Sequence, residues 1–190
     1  MSTPPEQVRA RGYLRENGTE APVARIRDRV ADAFAALDAL LDGVTEPQAR
    51  RRPREGEWSV QEIADHLVET HPRALTEMRA LLENRHSPVS PIPAGLQSAD
   101  PWARSWDDLR LALRGLHTEV LDVLSAAPDR ATAVRAPIIM VINVRRADGA
   151  VEPMHWIEEC DWKACAIIFR LHELDHLGQA RRALRAPPVR

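Results

Sequence analysis

The chain has 190 residues, with 26 Lys and Arg against 28 Asp and Glu. Its formal net charge of −2 gives the whole molecule no electrostatic pull toward nucleic acid or an anionic membrane. With 44% hydrophobic and 28% charged residues it has the composition of one globular domain, and a chain this long removes roughly 70% of its unfolded surface from water on folding. Disulfides are therefore not needed for folding, and Cys160 and Cys165 are too few for a disulfide framework and suit a reducing interior.

The first twenty residues contain no apolar core of the kind a secretory signal needs, and no apolar run approaches the roughly 20 residues that span a bilayer. A cytoplasmic protein is expected. Residues 1–22, with Pro4, Pro5, Gly12, Gly18 and Pro22, read as a flexible N-terminal arm, in which Val8, Tyr13 and Leu14 are the side chains able to dock. The folded domain is expected over 23–186, followed by a short tail at 187–190.

Ile26, Val30, Phe34, Leu37 and Leu41 recur at helical spacing and predict helix one over 23–41, with Gly43 as its stop. The run Arg50-Arg51-Arg52-Pro53-Arg54 reads as a solvated connector rather than a nucleic-acid contact, because it is short and the net charge is negative. Helix two opens at Trp58-Ser59-Val60-Gln61-Glu62. There Ser59 and Glu62 can form a reciprocal capping box, and Trp58 stands at the staple position. Pro72 lies inside this helix and predicts a kink near His71. Residues 86–102 are rich in proline and serine and predict an extended loop.

Helix three is expected over 106–124, on the stripe Leu109, Leu113, Leu116, Val120 and Val123. The β-branched run 138–144 and the Asp148-Gly149 turn signal predict a β-hairpin over 134–157. Helix four runs over 161–184, ahead of Pro187 and Pro188. The fold class is mainly all-α: a four-helix bundle with a β-hairpin inserted between helices three and four.

Bundles hold metal sites on facing helices, and the histidines fit that use. His172 and His176 stand four residues apart, on one helical face and one turn from each other, so both can reach one ion. His66 sits beside the apolar face of helix two, where the bundle can bring it opposite that pair. Three neutral imidazoles leave a position open for water or a substrate atom, as catalytic zinc sites do. Asp175 and Glu69 are candidates to accept the free ring N–H of a ligating histidine, and Gln179 could orient a ligand one turn beyond His176. Cys165 reads first as a small core residue and second as a thiol lining the pocket. No partner pattern is visible for His71, His86 or His117.

The stretch from Trp58 to Leu67 resembles the start of helix two in the DinB-like (YfiT-like) metalloenzyme superfamily. His172-Glu173-Leu174-Asp175-His176-Leu177-Gly178-Gln179 resembles its last-helix motif, H-x-x-x-H-x-G-Q. The resemblance spans residues 23–185. It implies a four-helix bundle with a three-histidine divalent-metal site, which maps onto His66, His172 and His176. Relatives include mycothiol- and bacillithiol-dependent S-transferases and the metal-binding domain of mycothiol-dependent maleylpyruvate isomerase.

The resemblance therefore implies an enzyme that brings together a low-molecular-weight thiol and a small electrophile, as an S-transferase or isomerase. The cation would be zinc, with nickel or iron as alternatives, because imidazole suits all three. The arginine-rich composition, in which Lys163 is the only lysine, resembles that of GC-rich actinobacteria and tilts the thiol co-substrate toward mycothiol. Arg73 is the candidate to hold a substrate carboxylate. The expected partners are a small-molecule substrate and the thiol, without nucleic acid or membrane, and members of the superfamily are often homodimers. Two other functions stay open: a metal-dependent hydrolase in detoxification or natural-product tailoring, and a non-catalytic metal- or ligand-binding bundle.

Overall fold

The computed structural model describes residues 3–88, 91–145, 149 and 151–186, with only the backbone described at Arg145 and Val151. Four long helices form the frame: α2 (Val23–Asp42), α4 (Val60–Leu82), α5 (Trp106–Ala126) and α6 (Trp162–Arg185). Two short helices, α1 (Pro5–Leu14) and α3 (Glu46–Arg50), accompany them, together with a hairpin of β1 (Ala136–Arg145) and β2 (Val151–Cys160). The main helix contacts run around a square: α2 on α6 and α5, and α4 on α5 and α6. The links from α2 to α4 and from α5 to α6 therefore join diagonal corners. They are the ones that carry α3 and the hairpin. The tail at 187–190 lies outside the described residues.

The helix starts are built as their sequences require. The Ser59 hydroxyl accepts the Glu62 N–H at 3.2 Å and the Glu62 carboxylate accepts the Ser59 N–H at 2.9 Å, so the capping box satisfies two otherwise orphaned amides. Asp161 caps α6 by accepting from the Lys163 and Ala164 amides, both at 3.0 Å. Pro72 lies within the unbroken span of α4.

The arginine-rich connector is solvated at Arg50, Arg52 and Arg54, and it makes specific contacts as well. Arg51 donates to the Leu184 and Ala186 carbonyls at the end of α6, Arg52 pairs with buried Glu62, and Arg50 pairs with Glu46. Satisfying carbonyls left open at a helix C-terminus is a use for which the charged, multi-donor guanidinium is well suited.

Residues 5–19, expected in a flexible arm, are helical: α1 runs into a single π-helical turn over Arg15–Thr19. Close approach holds this segment down. A Cβ on Gly18 would lie 2.8 Å from the Ala164 Cα and 3.1 Å from the Lys163 carbonyl oxygen, so the turn seats its backbone directly on α6. The Thr19 hydroxyl donates to Asp161 at 2.6 Å, and the Tyr13 hydroxyl accepts from Arg170 at 2.7 Å and from Arg29 at 3.1 Å. Gly18→Ala is expected to cost about 1–3 kcal/mol, the usual range for forcing extra volume into a packed contact, and urea melts of the two proteins measure it.

The hairpin pairs antiparallel from Ala136↔Cys160 to Arg145↔Val151. Of the expected Asp148-Gly149 turn, Asp148 lies outside the described residues. Gly149 has φ +87°, a backbone region that glycine enters without a Cβ clash.

The core has two apolar layers. One gathers Phe34, Leu75, Met78, Val120, Leu124, Trp162 and Phe169; the other gathers Leu37, Ile63, Leu67, Leu109, Leu113 and Leu177. Between them, at the level where Leu67 gives way to Leu75 and Leu113 to Val120, lies a layer of buried polar side chains: His71, His117 and Glu173. The candidate site sits at its edge.

Candidate metal centre

His66 comes from α4, and His172 and His176 from α6, so the antiparallel packing of these two helices brings together two stretches about a hundred residues apart. The His172 Nε2 lies 3.0 Å from that of His66 and 3.1 Å from that of His176. His66 Nδ1 is 2.6 Å from the Leu96 carbonyl oxygen, and His176 Nδ1 is 2.9 Å from the Gln179 Oε1. Each of those nitrogens donates its N–H, which leaves the Nε2 lone pairs of His66 and His176 aimed inward. A ligating histidine is ordinarily oriented this way, with an oxygen acceptor on its other nitrogen.

The loop that carries Leu96 is tied to α4. The Ser98 amide and hydroxyl both donate to Asp65 at 2.8 Å, and Gln97 donates to the Glu62 carbonyl at 3.0 Å. Trp58 covers the cluster from outside, its ring 5.0 Å from that of His66 and stacked 6.2 Å from that of His176.

Burial and mutual repulsion keep these imidazoles uncharged. Burial pulls His66 down and His172 well down. It also pulls His176 to about 4, with His66 adding to the effect. Neutral imidazoles are ligands, whereas imidazoliums are not. The donor set of three neutral imidazoles, with the tautomers of His66 and His176 fixed by their oxygen acceptors, fits a divalent cation such as zinc.

A pH dependence follows from the same shift. His176 has a folded pKa near 4 against an ordinary value of 6.5, so the folded form binds fewer protons. The stability it contributes is complete above about 6.5 and is lost as pH falls through 4. Zinc affinity measured by calorimetry is therefore expected to stay nearly level between pH 8 and 6 and to fall steeply only toward pH 4, whereas an exposed histidine cluster would already weaken near 6.5.

The three imidazoles border a cavity of about 540 Å³. Ile138, Met140 and Ile142 of β1 form one wall, and Ile168, Phe169 and Leu171 of α6 another. Glu77, Asp175 and Cys165 also line it, and no arginine or lysine is among its described lining residues. Burial pushes the Glu77 carboxyl up to about 7. Contact with Cys160, together with burial, pushes the Cys165 thiol well above its usual value, so that it stays protonated.

The other residues named from sequence are distributed unevenly. Gln179 holds His176, and Asp175 is exposed at the cavity. Glu69 is paired with Arg104 at 3.0 Å and, with exposed Arg73, lines a separate shallow groove between α4 and α5.

Sequence reasoning passed over a second cluster. His71 Nε2 lies 2.8 Å and His117 Nε2 3.5 Å from the Glu173 Oε1, and all three residues are buried. Burial opposes ionisation of Glu173, yet the two facing imidazoles hold its carboxyl below the usual carboxylate range. Burial also opposes protonation of His117, but Asp38 and Glu173 together raise it to about 9. A signal was available: His71, His117 and Glu173 each stand four residues after an inner-stripe residue, namely Leu67, Leu113 and Phe169, and so occupy core positions of their helices.

A family model described as the DinB superfamily matches residues 29–180, which include every histidine of both clusters. No curated protein matches the chain. No helix among the described residues is long and apolar enough to cross a membrane.

Proposed function

The chain belongs to the DinB superfamily, and on that premise we propose that it is a divalent-metal-dependent enzyme that joins a low-molecular-weight thiol, of the mycothiol type, to a small electrophile. The observation that carries this is the convergence of three neutral imidazoles on the edge of an apolar cavity. His66, His172 and His176 would hold the ion, with zinc the proposed metal. Once bound, it would supply Lewis acidity, making a thiol or water that approaches its open side more acidic.

The protein's own groups favour a particular partner for that thiol. With Glu77 and Asp175 as the charged groups of the lining, and no arginine or lysine among its described residues, the cavity suits an uncharged, largely apolar electrophile better than a carboxylate. Arg73, in its separate groove, is not placed to clamp such a substrate. Trp58 and the loop around Leu96 keep water off one side of the imidazoles. Glu77, held close to half-protonated at neutral pH, can donate a proton to a product atom at the apolar end of the cavity.

The test incubates zinc-loaded protein with mycothiol, bacillithiol or glutathione and a panel of small apolar electrophiles, and follows S-conjugates by mass. Conjugation with one of these thiols, absent in His172→Ala, is expected. Turnover of the panel by hydrolysis with no thiol present would replace the transferase with a hydrolase. Binding without turnover of either kind would leave a non-catalytic bundle.

A further inference from the structure

We propose that His71, His117 and Glu173 form a second divalent-cation site, closed inside the bundle and separate from the three-histidine centre. Four atoms define it: Nε2 of each histidine and both carboxylate oxygens of Glu173. Among the described residues, seven buried side-chain polar atoms lack a hydrogen-bond partner, and these four are among the seven. Although His71 Nε2 is only 2.8 Å from Oε1, the pair does not meet hydrogen-bond geometry, so the ring nitrogen aims beside the oxygen rather than at it. Buried polar groups within ion-pair reach of one another yet without a hydrogen bond, gathered at one point, suit a charged occupant.

The outer contacts are those of ligands. His71 Nδ1 is 2.8 Å from the Leu67 carbonyl oxygen and donates to it, and His117 Nδ1 is 3.2 Å from the Asp38 carboxylate and donates to that. Both histidines thus turn Nε2 toward Glu173, just as His66 and His176 turn theirs toward His172. The Asp38–His117 pair is the carboxylate–histidine arrangement that commonly backs a metal ion. Phe34, stacked 4.0 Å from the His117 ring, fixes its plane.

Two imidazoles and a bidentate carboxylate make a four-donor set suited to zinc or iron(II). A divalent ion would take the place of the proton that Asp38 and Glu173 hold on His117, releasing it to solvent and balancing the same two carboxylates. His71 also borders the cavity, which offers a route inward, while Glu173 and His117 have no exposure that would admit a substrate. The site would tie α4, α5 and α6 together, with α2 attached through Asp38, so its role is structural.

The test titrates chelator-stripped full-length protein with Zn²⁺ alone, with calorimetric stoichiometry and thermal melts as readouts. Two equivalents are expected for the wild type, and one each for His117→Gln and for His66→Gln/His176→Gln. In the double variant, the remaining equivalent should still raise the melting temperature. One wild-type equivalent that survives His117→Gln, or no binding at all, would overturn the second site. One equivalent lost in His117→Gln but kept in the double variant would support it and count against the three-histidine centre instead. Should His117→Gln fail to fold, the wild type and the double variant decide together: two Zn²⁺ equivalents falling to one in the double variant support the site, and one wild-type equivalent that disappears in the double variant overturns it.

Discussion

Replacing His172 with alanine is expected to weaken binding of a divalent ion at the three-histidine centre by more than about 100-fold. His172 is the middle donor: its Nε2 lies within 3.0 Å and 3.1 Å of the other two, whereas His66 and His176 each rely on it as the neighbour their lone pairs converge upon. Loss of a group that merely orients a ligand typically costs about 10–100-fold in metal affinity, so loss of a direct donor should exceed that. In metal-free protein the same change should cost little stability, because His172 is only half-buried and borders the cavity, so its truncation widens existing space rather than opening a new void. Calorimetric titration with Zn²⁺ and a melt of the stripped protein separate the two effects. Unchanged affinity at the first equivalent would remove His172 from the centre.

The second large effect is expected far from the metal. Trp162→Ala should destabilise the protein by about 3–5 kcal/mol, the range for truncating a buried aromatic. Trp162 is fully buried in the apolar layer at the start of α6. Its Nε1 donates to the Arg130 carbonyl at 2.7 Å, so truncation opens a large void and also strands an acceptor. Its neighbours cannot close the gap freely. Asp161 is held by Thr19 and by the α6 amides, and Lys163 is held by Asp129 at 2.9 Å. At roughly 2–4 °C per kcal/mol for a chain of this size, the melting temperature should drop by about 10 °C. Because His172 lies nearly three turns further along α6, the folded variant should still bind the first zinc equivalent, which a general collapse of the bundle would not allow.

Much of the fold is legible in the chain. Ser59 and Glu62 lie three residues apart and meet within one helical turn, so the start of α4 could be read from adjacent letters, as could the spacing of His172 and His176 on one face of α6. The β-branched run from Ile138 marked the hairpin for the same reason. The N-terminal helix was not legible. Its glycines and prolines argue for a loose segment, and it is held by the approach of Gly18 to Ala164, a contact between residues almost 150 positions apart. Glu69 and Arg73 were named because they follow His66 closely, but helical rotation carries both out of the cavity and into the groove beside Arg104.

The sequence by itself determined the four long helices, the cap at Ser59 and which two imidazoles share a face, because each of those depends on residues within a turn or two of one another. Only the tertiary structure decided that His66 meets that pair, that Glu77 lies at an apolar end of the cavity, and that His71, His117 and Glu173 converge. These meetings depend on which helices become neighbours and at what height. That is set by the burial of whole apolar faces and by the loops that join diagonal corners of the square, neither of which is written at any single position.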